Sequence, residues 1–108
     1  MKLVAAVIQD RDAGLSVKTL AANGIGVTRV ATSGGFLEQG NTTLFIGVEE
    51  AQVSLVIDLL RSVCHRRTIY MPMTAGIADT TYGLHGQVEV EIGGATIFVF
   101  DVEHFEQV

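Results

Sequence analysis

Apolar positions along this chain fall into short runs whose period changes from one segment to the next. Leu3 to Ile8 is unbroken, short and rich in aliphatic residues, which predicts a central strand. Ala13, Val17, Leu20 and Ala21 recur at i, i+4, i+7 and i+8 and predict one face of a helix. Asp12 can cap that helix and Asn23-Gly24 can stop it. Ile25 to Thr32 is β-branched and reads as a second strand. Thr42 to Val48 reads as a third, with Leu44, Ile46 and Val48 on one face and Thr43, Phe45 and Gly47 on the other. Val53, Val56, Ile57, Leu60, Val63 and Cys64 form a helical stripe. Glu49 and Glu50 stand at its positive end, and His65, Arg66 and Arg67 at its negative end. From Thr68 to Gly86 no period holds, so a long functional or disordered loop is expected there. Gln87 to Ile92 alternates as a strand, Gly93-Gly94 marks a bend or hairpin, and Ala95 to Val102 is a strand again.

The order predicts a single α+β domain over 1–108. It is the split βαβ, ferredoxin-like βαββαβ arrangement with a C-terminal strand or hairpin extension. Right-handed crossovers put both helices on one sheet face. Yet both sides of the first strand are apolar: Leu3, Ala5 and Val7 on one, Val4, Ala6 and Ile8 on the other. The helix-free face therefore needs a cover, and assembly of copies through that face follows.

Composition agrees with this. Hydrophobic residues make up 48% and charged residues 18% of the 108, and mean hydropathy is +0.40, apolar for a small monomer. The net charge of −5 argues against nucleic-acid polymers and anionic membranes as partners. One cysteine, Cys64, allows no internal disulfide and points to a reducing, cytoplasmic setting. The apolar amino terminus is broken by Gln9-Asp10-Arg11-Asp12 too early for a signal peptide, and no segment reaches membrane-spanning length.

Candidate chemistry is sparse. His65, His85 and His104 are far apart, Cys64-His65 alone is no zinc motif, and no nucleophile or phosphate-loop fingerprint is present. Asp10 and Asp12 read as one helix cap and one solvated carboxylate. Neither catalysis nor a metal is expected. The informative block is Thr32-Ser33-Gly34-Gly35-Phe36-Leu37-Glu38-Gln39-Gly40-Asn41-Thr42-Thr43. It puts Phe36 and Leu37 on a glycine-bounded loop, with Asn41 offering a donor and an acceptor. The other reading of the block is a tight hairpin whose Phe36 packs back on its own sheet.

This block, together with Thr28-Arg29-Val30-Ala31 before it, resembles the cyclic-di-AMP receptor family of PII-like signal-transduction proteins. The opening Ala5 to Asp12 and the closing Val88 to Phe100 resemble that family too, so the likeness spans nearly the whole chain. The resemblance implies a cytosolic, non-enzymatic homotrimer that binds cyclic-di-AMP at its subunit boundaries. It implies no further cofactor, and loop ordering that regulates a protein partner. Carried over, Gly35, Phe36 and Leu37 contact an adenine, and Asn41 supplies amide hydrogen bonds. Thr28 gives a hydroxyl, Gly47 allows close approach, Phe98 walls the pocket and Gln107 reaches in from a neighbouring subunit. The chain departs from the family at Gly24 and Gly26, where asparagine and arginine are usual. That departure keeps an alternative open: a PII-like trimer for another adenine nucleotide or a small metabolite.

Overall fold

The computed structural model describes residues 1–31, 40–72 and 86–108. Its elements run β1 (Lys2–Gln9), α1 (Asp10–Ala22), β2 (Thr28–Ala31), β3 (Asn41–Val48), a 3₁₀ turn (Glu50–Gln52), α2 (Val53–Cys64), β4 (Arg67–Pro72), β5 (Gln87–Ile92) and β6 (Ala95–Asp101). Four strands form an antiparallel sheet in the order β2-β3-β1-β6, and β4 pairs with β5 in a separate antiparallel ribbon. This mixed α+β domain with two helices is compatible with a ferredoxin-like fold.

The core lies between the helices and one sheet face. Val4, Ala6 and Ile8 of β1 meet Leu44 and Ile46 of β3, and Leu20, Val56 and Leu60 close over them. The α2 stripe is seated as its spacing predicts, with Val56, Leu60 and Cys64 fully buried. Helix α1 stops at Asn23-Gly24, where Gly24 has a φ of +76° and its N–H donates to Ala21 O at 2.9 Å. Ile25 then turns back, buried, and donates its N–H to Leu20 O. The strand expected from Ile25 therefore begins only at Thr28, because the first residues after the helix close its end.

Two other expectations change. The stretch after α2 is not loop from its start: Arg67–Pro72 is strand β4, and the rest of the expected loop, 73–85, lies outside the described residues. The expected C-terminal hairpin extension is an insertion instead. β5 pairs with β4 and not with β6, and β6 takes the fourth place in the sheet beside β1. The switch is made at Gly93 and Gly94, whose φ values of +92° and +94° only glycine adopts readily. Only the β4 half of the ribbon reads as loop in the sequence, because no apolar period marks it; the β5 half is a strand as its alternation predicts. Ile69, Met71, Val88 and Val90 share one face with Arg67, while Tyr70, Glu89 and Glu91 share the other.

The two acidic residues at the head of α1 also differ from expectation. Neither caps the helix, which has no side-chain cap. Asp10 accepts a hydrogen bond from Thr42 Oγ1 at 2.5 Å. Asp12, 4% exposed, takes both guanidinium nitrogens of Arg67, at 2.7 and 3.4 Å. That pair ties the base of the ribbon to α1. Arg67 also donates to His65 O at 3.0 Å, so a cation does sit at the carbonyl end of α2 as the charge pattern predicts.

Candidate ligand cleft and the open sheet face

The cleft forms where three strands end together. Gln9, the last residue of β1, lies opposite Asn41, the first of β3. Gln9 Oε1 accepts the Gly93 N–H at 2.8 Å, and the Gly94 N–H is taken by Cys64 O. These bonds fold the double-glycine turn against the sheet. A side chain at Gly93 has no room, since a Cβ there would lie 2.3 Å from His65 O. The resulting cleft holds about 250 Å³, and its lining includes Val7, Gln9, Asn41, Arg66, Gly94 and Thr96. That volume is below what usually encloses a whole drug-sized ligand, so the cleft suits one part of a larger molecule.

Consecutive arginines have opposite fates here. Arg67 turns inward to Asp12, which raises its already high pKa by hydrogen bonding. Arg66 stays exposed along Gly94, and no carboxylate pairs with it among the described residues. Below the turn, Cys64 is buried and contacts Ser16 Oγ at 3.3 Å. Burial pushes its thiol pKa up, which keeps it protonated and poorly nucleophilic.

The sheet face opposite the helices is apolar and exposed in the single chain. Register sets its rows. Thr28, Phe45, Ala5 and Phe98 form one row across all four strands; Gly47, Leu3 and Phe100 form the next. Phe45 is 38% exposed, and Phe98 and Phe100 are each 50% exposed. The last two rings stack at a centroid distance of 6.3 Å.

This geometry places the residues expected at the site. Thr28, Asn41, Gly47 and Phe98 all share the open face, so parity groups them as one surface. It does not gather them at one point. Thr28 and Phe98 sit on opposite edge strands, three strand spacings or about 14 Å apart, and Asn41 and Gly47 are six residues or about 20 Å apart along β3. Gln107 lies in the exposed segment after β6. Gly35, Phe36 and Leu37 fall outside the described residues. Gln9, Arg66 and Thr96 are not among the site residues expected from sequence, which reads Arg66 only as a cation at the end of the second helix. The paired glycines at 93–94 were the available signal, since a tight double-glycine turn beside a strand end permits close approach. Among the described residues no group of His, Cys, Asp and Glu could hold a metal ion, and no helix is long and apolar enough to cross a membrane.

An α+β domain with one apolar sheet face exposed and a polar cleft at its strand ends offers a frame that can hold part of a small ligand. The cyclic-di-AMP receptor family matches residues 1–108, and the chain belongs to that family. The crystal structure of a functionally unknown protein from Pediococcus pentosaceus ATCC 25745 is similar to it in fold. The TM-score is 0.77 at 36% identity, over 99% of this chain and 96% of that one. Membership supports a receptor role in signal transduction.

Proposed function

We propose that this chain binds cyclic-di-AMP at the boundaries between three copies and changes loop conformation to regulate a protein partner in the cytoplasm, without turning the ligand over. The family match over the whole chain carries the reading. The separation of Thr28 from Phe98 supports the boundary. One chain cannot bring both edges of its own sheet to one ligand, whereas the edge of a neighbour can meet its own opposite edge. The apolar open face gives the copies a reason to associate.

Phe36 serves as the apolar wall for an adenine. Base stacking on an aromatic side chain is worth about 1–3 kcal/mol in single-stranded nucleic-acid binders, which corresponds to roughly five- to a hundredfold in affinity. Calorimetry with cyclic-di-AMP, cyclic-di-GMP, ATP and AMP tests the function. Cyclic-di-AMP should bind tightest, should be recovered intact, and should bind more weakly to Phe36→Ala at an unchanged melting temperature. A chain that took ATP or AMP and ignored cyclic-di-AMP would move to the second reading, a trimeric regulator for another adenine nucleotide. The specific observation behind that reading is Gly26, where the resemblance leads one to expect arginine. A Cβ at Gly26 meets nothing within 4 Å, and its φ is not positive, so Gly26→Arg fits without strain. Tighter cyclic-di-AMP binding by Gly26→Arg would support the first reading, and no gain would favour the second.

A further inference from the structure

Resting on the proposed ligand, we propose that Arg66 is the cation that receives one of its phosphates, in the cleft shared with Asn41. A cyclic dinucleotide carries two phosphodiester charges, and this chain has a net charge of −5, so association needs a local positive group. The cations of the described residues leave few choices. Arg67 is held by Asp12, Arg61 by Asp58 at 3.3 Å, and Lys2 by Asp101. Arg11 and Lys18 are exposed on α1, and Arg29 lies in register with Leu44, on the helix side of the sheet. Arg66 alone borders the cleft.

Among the described residues the cleft offers no other strong anion donor. A double-glycine turn with positive φ commonly presents its N–H groups to a phosphate. Here both are already engaged, Gly93 by Gln9 Oε1 and Gly94 by Cys64 O. What the turn does instead is give Arg66 a flat bed. Gly94 has no side chain, and a Cβ there would sit 3.5 Å from Arg66 Nε. The guanidinium lines the cleft and has no hydrogen-bond or ion-pair partner among the described residues, so its fork suits two parallel bonds to phosphate oxygens. Asn41, neutral and lining the same cleft, can address the adjoining sugar or base. A second cleft also borders Arg66, but Ile57 and Ile97 wall it and Arg61 there is already paired.

The test compares wild type, Arg66→Gln and Arg66→Lys by cyclic-di-AMP calorimetry at low and high salt, with melting of each protein alone. Arg66→Gln should weaken binding by about ten- to a hundredfold, the range of a charged hydrogen bond. Arg66→Lys should keep part of the affinity, because it keeps the charge and loses the fork. The salt sensitivity of binding should be smaller in Arg66→Gln than in wild type. Melting without ligand should be unchanged. Equal affinity and equal salt dependence in Arg66→Gln, beside a wild type that binds, overturn this assignment and leave the receptor reading standing. A lowered melting temperature without ligand makes Arg66 a structural residue and overturns it too. A wild type that does not bind cyclic-di-AMP removes both.

Discussion

The two faces of the four-stranded sheet are built from the same kinds of residue and end in different states. On one, Val4, Ala6, Ile8, Leu44 and Ile46 disappear beneath α1 and α2. On the other, Val30, Phe45, Phe98 and Phe100 remain between 38% and 50% exposed. The helices are too few to cover both faces, because both crossovers return on the same side. The difference is that half of the apolar pattern is buried by this chain's own helices, while the other half is left half-exposed among the described residues. In the reading proposed here two more copies cover it.

The comparison can be broken first on the open face. Phe45→Asp combined with Phe98→Asp would put a carboxylate into an apolar contact at every copy. Sedimentation should report three copies for wild type and single chains for the double variant, while far-ultraviolet circular dichroism stays the same. A wild type that sediments as a single chain would leave the open face without its cover and sink the boundary site.

On the covered face the expected effect is reversed. Leu44→Ala should cost about 2–5 kcal/mol of stability, the range for a truncated core leucine. Below its melting transition its sedimentation should match wild type. An equal loss of assembly would mean that the two faces are not independent.

The ribbon is a smaller test of the same division. Asp12→Ala removes the buried partner of Arg67, whose side chain keeps 29% of its exposure and can reach water. The loss should be about 1–3 kcal/mol, less than for a fully buried pair. Hydrogen exchange should rise in β4 and β5 before it rises in β1 or β3. Uniform exchange across all strands would show that the ribbon is not a separate unit.

The smallest effect is that of pH on the covered face. Burial raises the Cys64 thiol pKa in the folded state. The sign follows from linkage: the unfolded thiol releases its proton first as pH rises. This contribution is therefore fully present below the ordinary thiol range and is lost as pH climbs from there through the folded value. Cys64→Ser lacks a thiol, so its melting temperature should decline less over that alkaline window than wild type does. Equal declines would assign the effect to other groups.

Much of this was legible in the chain. The period of Val53 to Cys64 and the alternation of Leu44, Ile46 and Val48 fix which side chains face the core, because side-chain direction is a local property of helices and strands. The open apolar face was legible too, from the double pattern of Leu3 to Ile8 combined with the handedness of crossovers. The likeness carried by the Thr28–Thr43 block placed the chain in its family. Membership left the positions of Gly35, Phe36 and Leu37 as expectations, since they lie outside the described residues.

Other features depended on which strand meets which. Sequence spacing alone did not say that β5 leaves β6 to pair with β4, since Gly93-Gly94 fits a hairpin and a crossing equally well until partners compete for the edge of β1. Nor did it say that Asp12, an ordinary helix cap by position, would be drawn to Arg67, 55 residues away, or that Arg66 next to it would line the same cleft as Asn41 with no ion-pair partner among the described residues. Local periodicity is set by neighbours a few residues apart and can be read from the chain. Strand order, ion pairing and the composition of a cleft are set by contacts between distant segments, and only the tertiary structure decides those.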